Sequence, residues 1–239
     1  MISHQTVGQE LWVARCGTLE YSEGVALQRT LRDARIAGTV PDMLLLLEHP
    51  AVYTRGRRAD SSELPFGEQW YAERGIAIED TDRGGKTTYH GPGQLVGYPI
   101  IDLASVEKSV PALVDTLEET LVEALAAEGV EATGDRRLRG VWTGGRKIAQ
   151  IGLHVARGVT MHGFSVNVDC DLEPFTWIKP CGLDIEVTSL AQETGDDTRM
   201  ECFSKRVAYG LATQLGLRQR LISPPRLQSI LDGKLAFAS

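Results

Sequence analysis

The sequence has few cysteines and no long hydrophobic run. Its four cysteines form no C-x-x-C pair, which is typical of a protein with reduced thiols rather than of a disulfide scaffold. The longest apolar stretches are far shorter than the ~20 residues that a membrane-spanning helix needs. The N-terminus also lacks a basic region followed by an apolar run, so we expect no signal peptide. These absences predict a cytoplasmic protein that does not enter a membrane.

An excess of basic residues is missing as well. Lysine and arginine total 25 against 32 aspartates and glutamates, a net charge of −7, which argues against a nucleic-acid-binding protein. Apolar residues make up 42% of the 239 positions, the proportion found in ordinary globular proteins. We therefore expect one domain over residues 1–239, ending in a short C-terminal extension after about residue 217.

Hydrophobic periodicity predicts both helices and strands. Apolar side chains recur at helical spacing in residues 20–37, 111–128 and 201–215, and more weakly in 62–74. Short apolar runs predict strands at residues 43–50, 51–54, 76–80 and 95–102, and consecutive antiparallel strands across 141–169. The fold class that follows is α+β, with a mixed, largely antiparallel β-sheet flanked by helices.

The last of these predicted strands changes its apolar parity. Val159 and Met161 are odd-numbered, whereas Phe164 and Val166 are even-numbered. Because side chains alternate between the two faces of a strand, this change predicts a β-bulge at Gly163.

Glycine is concentrated in one third of the chain. Thirteen of the 25 glycines fall between Gly84 and Gly163, which indicates tight turns or close backbone approach. The segment RGGKTTYHGPGQL, residues 83–95, presents backbone N–H groups, a guanidinium and an imidazole that could bind a carbonyl, carboxylate or phosphate. It matches neither G-x-x-x-x-G-K-[ST] nor G-x-G-x-x-G, and we expect no nucleotide cofactor.

Two further residues are candidates for chemistry. Cys181 lies between a proline and a glycine, a constrained turn in which a thiol can be exposed, as reactive cysteines are. Lys147 begins a predicted strand directly after the turn at residues 143–146, which contains two glycines, and a lysine at such a position is usually only solvated. A serine hydrolase is not indicated, since G-x-S-x-G is absent. His154, His162 and Cys170 lack the adjacent-ligand spacing of a zinc site, so no metal is expected.

The motifs RGGKTTYHGPGQLVGYPI, GGRKIAQIGLHV, HGFSVNV and FTWIKPCGL, followed by VTSL, occur in this order. From about residue 21 to 216 the chain resembles the lipoyl(octanoyl) transferase family, the octanoyl-[acyl-carrier-protein]:protein N-octanoyltransferases. The resemblance implies transfer of octanoyl from acyl carrier protein, through a thioester acyl-enzyme, to the lysine amine of lipoyl domains. It implies the catalytic-domain fold of biotin protein ligases and lipoate-protein ligases.

The resemblance also implies roles for individual residues. The family's catalytic cysteine corresponds to Cys181 and its partner lysine to Lys147. Gln150 and His154 stand where a small residue and an arginine are common in the family. The implied substrate-binding residues are Arg83, Gly84, Gly85, Lys86, Thr87, Thr88, Tyr89, His90, Gln150, Ile151, Gly152, Gly163, Phe164 and Ser165.

The implied partners are octanoyl-acyl carrier protein, lipoyl domains of 2-oxoacid dehydrogenase E2 subunits and the glycine cleavage H protein. Neither nucleic acid nor a membrane is expected as a partner, and we expect a monomer. Because carrier proteins are acidic like this chain, docking should need a local basic patch. Two arginine clusters qualify: Arg55, Arg57 and Arg58, and Arg136, Arg137 and Arg139.

Three other functions remain open at this point. An ATP-dependent lipoate or biotin protein ligase would consume ATP and need no acyl-cysteine. An octanoyl amidotransferase acting between protein lysines would use Cys181 but accept no carrier-bound thioester. In a non-catalytic acyl-binding protein, Cys181 and Lys147 would be incidental.

Overall fold

An eight-stranded mixed β-sheet forms the centre of the molecule. The computed structural model describes residues 10–179, 185–195 and 200–232. Numbered along the chain, the strands are β1 Glu10–Thr18, β2 Asp42–Glu48, β3 Val52–Arg55, β4 Ala77–Asp80, β5 Thr88–His90, β6 Gln94–Ile100, β7 Thr133–Gly134, β8 Gly140–Thr143, β9 Arg146–Ala156, β10 Val159–Asn167 and β11 Arg218–Ile222. The large sheet has the order β11-β1-β2-β6-β10-β9-β8-β7. Strands β11, β1 and β2 run parallel, and every other neighbouring pair is antiparallel.

Helices cover both faces of this sheet. The helices in the described ranges are α1 Tyr21–Ile36, α2 Glu68–Ala72, α3 Val110–Ala126, α4 Leu190–Thr194, α5 Met200–Gln214 and α6 Pro224–Leu231. Of these, α2 packs instead with a separate aromatic core. The central strand β2 shows the result, because its odd-numbered residues pack with α1 and α6 and its even-numbered residues pack with α3 and α5. A strand buried on both faces reads as a continuous apolar run, and this explains the sequence MLLLL.

A second, three-stranded sheet of order β4-β3-β5 lies beside the large one. Strand β3 pairs in parallel with β4 and antiparallel with β5. An aromatic core that includes Tyr53, Tyr71 and Tyr89 packs against this small sheet. The small sheet is important for the site because β5 carries part of the glycine-rich motif into the centre of the molecule.

Most of the predicted elements are confirmed. The predicted α+β class and the three long helices are present, and the hairpin turns at residues 143–146 and 157–158 join β8 to β9 and β9 to β10. The single helix predicted for 62–74 is wrong. Pro65 interrupts it, so that a 3₁₀ turn at Ser61–Glu63 and helix α2 form instead.

The β-bulge predicted at Gly163 is also wrong. Strand β10 pairs with β9 in unbroken register from Val159 to Val166. Its odd-numbered apolar residues face the α1 core and its later even-numbered ones face the α3 core, so the parity change reflects burial on both faces. The irregularity lies instead at His162, whose φ is +56° and whose N–H donates to Gln28 Oε1 at 2.7 Å.

The C-terminal extension continues the large sheet. Strand β11 pairs in parallel with β1, and α6 packs against the same strand. Among the helices in the described ranges, none is both long and apolar enough to cross a membrane. The one-domain organisation stays a prediction.

Candidate active site

A cavity of about 880 Å³ opens between the two sheets. It is lined by the loop that leads into β5, by the first half of β9 and by the middle of β10. The structure therefore brings together three segments that are far apart in the sequence. The predicted site residues that line it are Arg83, Gly84, Gly85, Lys86, Thr87, Thr88, His90, Lys147, Gln150, Ile151, Gly152, Gly163, Phe164 and Ser165.

Tyr89 is the predicted site residue that the structure places elsewhere. Thr88 and His90 line the cavity, and because side chains alternate along a strand, Tyr89 points to the opposite face. Its ring packs against Tyr53 and Phe175 in the aromatic core. Burial there raises the pKa of its hydroxyl to about 12. Tyr89 supports the small sheet and does not line the cavity.

Cys181 lies outside the described residues, but the chain on either side of it is described. Ile178 and Lys179 before it line the cavity, and so do Ile185 and Glu186 after it. The other three cysteines are not alternative candidates at this cavity, since Cys16, Cys170 and Cys202 do not line it.

Lys147 is attached to the segment that follows Cys181. Its backbone N–H donates to Glu186 O at 2.8 Å, and its carbonyl accepts from Thr188 N–H at 3.0 Å. The side chain is half-buried; its Nζ donates to Arg139 O at 2.9 Å and lies 5.1 Å from the ring of Trp142. The ammonium therefore occupies a defined position at the cavity wall, not the solvated one typical of a lysine that begins a strand.

Arg83, on the loop that leads into β5, places a second cation at the cavity. Only 8% of the residue is exposed, and its guanidinium donates to Thr54 O at 2.6 Å, to Thr54 Oγ1 at 2.8 Å and to Gly84 O at 3.1 Å. Burial lowers the pKa of Arg83 from its usual value. Since these acceptors are neutral oxygens, the positive charge remains available to an oxygen of a bound ligand.

Glycines in this wall allow the backbones of three segments to touch. Gly84 N–H donates to Leu153 O at 2.9 Å. A Cβ added to Gly152 would lie 2.7 Å from Gly84 O, and one added to Gly56 would lie 2.6 Å from Gly85 O. These close approaches explain why the motif needs glycine.

Glu63 supports the same loop and was missed in the sequence. Only 2% of it is exposed, and it accepts from Lys86 Nζ at 2.8 Å and from Thr87 N–H at 2.9 Å. Burial alone would raise its pKa, but these hydrogen bonds outweigh burial and lower it. Ionised Glu63 therefore holds the loop in position. In the sequence, the only feature that marks this residue is a carboxylate followed by Leu64 and Pro65.

Buried histidines lie beneath Arg83. His90 Nδ1 is 2.6 Å from Gln94 Oε1, and His49 Nε2 is 2.6 Å from the hydroxyl of Tyr98. Burial lowers the pKa of both imidazoles, and that of His90 is well below its usual value. Both rings are therefore neutral at physiological pH and act as hydrogen-bonding groups rather than as charges.

A third histidine, His162, is paired with a carboxylate. Its Nε2 is 2.7 Å from Asp82 Oδ1. Burial lowers the pKa of His162 to about 4, although Asp82 acts in the opposite direction. His154 contacts the same residue through Asp82 O at 3.1 Å. Within the described ranges, no three such side chains are placed to hold a metal ion.

The remaining walls are mostly apolar. Besides Arg146 and Lys147, strand β9 contributes the polar side chain of Gln150, whose Oε1 accepts from Ser165 Oγ at 3.0 Å. Apolar lining comes from Val96, Ile151, Phe164, Leu172, Phe175 and Ile178. The cavity can therefore hold an apolar chain together with a group that has a carbonyl or anionic oxygen, and two cations line it.

Known proteins share both the sequence and the fold. The family model described as the lipoyl protein ligase A/B catalytic domain matches residues 20–212. An octanoyltransferase of Solibacter usitatus is 48% identical over 175 residues, covering 73% of this chain and 80% of that protein. An octanoyltransferase of Mycobacterium tuberculosis is 47% identical over 207 residues, covering 85% of this chain and 86% of that protein.

Solved structures confirm the predicted fold. A chain from the bipartite lipoate protein ligase of Thermoplasma acidophilum has a TM-score of 0.73 at 15% identity, covering 94% of this chain and 91% of that one. Biotin protein ligase of Aquifex aeolicus has a TM-score of 0.51 at 14% identity, covering 87% and 70%. The sequence matches establish the relationship and the structures establish the shared fold, so this chain belongs to the lipoyl protein ligase A/B catalytic-domain family.

Proposed function

We propose that this chain moves an octanoyl group from an acyl carrier protein to the lysine amine of a lipoyl domain, through a thioester on Cys181. Relatives that are 41–48% identical to it are named octanoyltransferases, and octanoyl transfer is the activity they support. The position of Lys147 supports the acyl-enzyme route most directly. Its side chain lines the cavity, and its backbone bonds to the segment that follows Cys181.

In the first half-reaction, the Cys181 thiolate attacks the octanoyl thioester. A bond forms between Sγ and the acyl carbon, and the bond between that carbon and the carrier's sulfur breaks. A free thiol is only a few per cent thiolate at neutral pH, and a nearby ammonium favours the ionised form. In the resting pair Lys147 holds the proton of the thiol, and it gives this proton to the departing carrier thiolate.

In the second half-reaction, the lysine amine of the lipoyl domain attacks the acyl-cysteine. The amide bond forms, the bond to Sγ breaks, and Cys181 leaves as a thiolate. Lys147, now neutral, takes the proton of the attacking amine and returns to its starting form. Exchange of one thioester for another is nearly balanced and conversion of a thioester into an amide is downhill, so no nucleotide is required.

The remaining cavity residues bind the acyl group in this proposal. The buried charge of Arg83 and the backbone of the glycine-rich loop face the carbonyl end, while Ile151 and Phe164 contact the hydrocarbon. Burial contributes about 0.8 kcal/mol per CH₂. Shortening the chain by two carbons should therefore weaken binding by about 1.6 kcal/mol, roughly fifteenfold.

Carrier docking would use cations at the rim of the cavity. Arg58 and Arg137 both line the cavity. In the described part of the chain neither guanidinium forms an ion pair within 4 Å, although the backbone N–H of Arg137 donates to Asp135 Oδ1 at 2.7 Å. Arg55, in contrast, is held by Glu68 and Asp80, and Arg139 is held by acidic residues of α3. Each predicted cluster therefore offers fewer available charges than its sequence suggests.

We also propose that the chain is one catalytic domain that acts as a monomer. Strand β11 pairs with β1, so the described part of the C-terminal extension belongs to the same sheet as the site. As acceptors we propose lipoyl domains in general, including those of 2-oxoacid dehydrogenase E2 subunits and the glycine cleavage H protein.

Intact-mass measurement tests the acyl-enzyme. Mixing the protein with octanoyl-carrier protein should add the mass of one octanoyl group, and hydroxylamine should remove it. The variant Cys181→Ala should form no adduct and transfer nothing, whereas Cys202→Ala, which changes an exposed cysteine away from the cavity, should behave as wild type. An adduct that persists in Cys181→Ala contradicts the mechanism.

The shared fold favours one second candidate, an ATP-dependent lipoate ligase. Free octanoate with ATP and a lipoyl domain should then give acylated lipoyl domain without any carrier protein. We expect product only from octanoyl-carrier protein, with no ATP consumed. Product from octanoate and ATP alone would favour the ligase.

A further inference from the structure

One peptide unit connects the Lys147 ammonium to a buried carboxylate. The carbonyl of Arg139 accepts from Lys147 Nζ at 2.9 Å. The N–H of the same peptide, which belongs to Gly140, donates to Glu118 Oε1 at 2.9 Å. The peptide therefore has a cation at its oxygen and an anion at its N–H, and hydrogen bonds arranged in series in this way polarise and strengthen one another.

The buried carboxylate of Glu118 accepts two hydrogen bonds, one from Gly140 N–H and one from the Arg139 guanidinium. It lies on α3 with 5% of its surface exposed, and its second oxygen accepts from Arg139 Nη1 at 3.1 Å. Asp115, one turn earlier, accepts from the same nitrogen at 2.6 Å. Arg139 thus has two carboxylate partners, whereas the Gly140 N–H bonds only to Glu118 among the described side chains.

The path of the Lys147 side chain depends on the same peptide. Gly140 has a φ of +136°, and a Cβ there would lie 2.6 Å from Lys147 Cε and 2.4 Å from Ala149 O. The lysine stem therefore crosses directly over Gly140 before its ammonium reaches the Arg139 carbonyl. A shift of this peptide must move the ammonium.

We propose that Glu118 is a positioning residue for Lys147, acting through the peptide between Arg139 and Gly140. The inference rests on the role given to Lys147 under the proposed function. Glu118 touches neither substrate nor Cys181 in this view. It holds the peptide in the orientation that presents its carbonyl to the ammonium, and a misplacement of about 1 Å at a reacting group can slow a reaction by ~10²-fold.

Three variants separate this role from a general effect on Arg139. Glu118→Ala removes both hydrogen bonds, and kcat should fall by roughly tenfold to a hundredfold with little change in KM. Glu118→Gln keeps an oxygen that can accept from Gly140 N–H and should recover most of the rate. Asp115→Asn weakens the contacts with Arg139 and Arg136 but leaves the bond between Glu118 and Gly140 N–H in place, so it should stay close to wild type. If Asp115→Asn is as slow as Glu118→Ala, the effect runs through Arg139 and the proposal is wrong.

Chemical labelling of Lys147 gives a readout that does not depend on its catalytic role. Acetic anhydride acetylates free amines, and mass spectrometry can compare the rate at Lys147 with that at Lys205, an exposed residue of α5. In Glu118→Ala this ratio should change several-fold, while in Asp115→Asn it should not. An unchanged ratio in a folded Glu118→Ala protein overturns the proposal.

The proposed function can fail separately. If Lys147→Met transfers octanoyl normally, the role of Lys147 is wrong, yet the labelling ratio still decides whether Glu118 positions its ammonium. If Lys147→Met is inactive while Glu118→Ala keeps the wild-type kcat and labelling ratio, the function stands and the inference fails.

Discussion

Two walls of the cavity each present a cation, but they hold it in different ways. The Arg83 wall is the glycine-rich loop before β5, and the Lys147 wall is the start of β9 with the chain around Arg139. The Arg83 guanidinium is almost fully buried and is held by neutral oxygens of Thr54 and Gly84. The Lys147 ammonium is half-buried and donates to the carbonyl of Arg139, whose peptide N–H, that of Gly140, donates in turn to Glu118. A guanidinium hardly ever loses its proton, whereas an ammonium can. Under the proposed function, Arg83 would therefore supply a fixed charge and Lys147 would transfer protons.

The largest expected effect on kcat comes from variants of Lys147 that remove its charge or its ability to lose a proton. Lys147→Met should lower kcat by ~10²- to 10⁴-fold, the usual contribution of general acid–base catalysis. Lys147→Arg keeps a positive charge but cannot act as a base, so it should remain strongly impaired. Single-turnover kinetics of each half-reaction would measure both variants.

Alkylation of Cys181 by iodoacetamide sharpens this test. Loss of the ammonium in Lys147→Met should move the pH dependence of alkylation upward, while Lys147→Arg should leave it closer to wild type. Wild-type kinetics in Lys147→Arg would show that charge alone suffices, and the contrast between the two walls would then be lost.

The sequence predicted the walls better than their supports. The motifs located Arg83 and Lys147 because these residues lie in unusual glycine-rich strings. Glu118 could not be predicted, because its partner is a backbone N–H about twenty residues away. The one available signal was its place beside Leu117 and Leu121, where a carboxylate borders the buried stripe of α3.

Two differences between the sequence analysis and the structure have one physical cause, which is that the residue pattern alone does not show which faces of a strand are covered. Tyr89 was included in the site as part of a continuous motif, yet alternation along β5 turns it away from the cavity. The parity change in β10 was interpreted as a bulge, yet that strand is buried on both faces. Both outcomes depend on neighbours that are distant in sequence.

The second-largest effect on kcat should follow from adding a methyl group at Gly140, directly against the Lys147 side chain. Gly140→Ala forces a Cβ against Lys147 Cε and Ala149 O, and overpacking of this kind costs about 1–3 kcal/mol of stability. We expect kcat to fall by roughly tenfold as the ammonium moves. The control is Gly158→Ala, because Gly158 also has a positive φ, of +83°, but a Cβ there would meet nothing nearer than Asp102 Oδ1 at 3.9 Å.

The control variant should lose only the ~1 kcal/mol of backbone strain and keep its kcat. Urea unfolding and steady-state kinetics measure the two effects separately. Equal kcat values in Gly140→Ala and Gly158→Ala would mean that the position of Lys147 does not depend on Gly140.

A smaller effect is expected at the rim, where each wall contributes one arginine. Arg58 belongs to the Arg83 wall, since its N–H donates to Gly85 O at 3.0 Å, and Arg137 belongs to the Lys147 wall. Reversing either charge to glutamate should raise KM for octanoyl-carrier protein by roughly threefold to tenfold at low salt. Iodoacetamide alkylation of Cys181 should not change.

The control for the rim is Arg226→Glu, an equal charge change on α6, which does not line the cavity. Screening should reduce the two rim defects as salt rises, because the Debye length is ~10 Å at 0.1 M. Arg139 is unsuitable for this test, since reversing it would also disturb Glu118. A rim variant with wild-type KM at low salt excludes that wall from carrier docking.

The smallest effect expected at neutral pH is on the free energy of unfolding, and it concerns the acid sensitivity of the Arg83 wall. His162 lies beside Arg83, and burial lowers its pKa to about 4 from an ordinary value of 6.5. Between pH 6.5 and about pH 4 the unfolded chain therefore binds a proton that the folded protein does not bind. The contribution of His162 to stability is full above pH 6.5 and is lost as the pH falls through this window.

At pH 5 the loss attributable to His162 should be roughly 2 kcal/mol. Asp82, whose pKa is also lowered, adds its own loss only below its ordinary value of 3.8. The variant His162→Gln should therefore lose less stability than wild type between pH 7.5 and pH 5, as urea unfolding would show. His49 and His90 act in the same direction, because burial lowers their pKa values too, so the variant should retain part of the acid sensitivity. An acid loss as large in His162→Gln as in wild type would show that His162 is not a source of this sensitivity, and the Arg83 wall would then owe its acid response to His49 and His90.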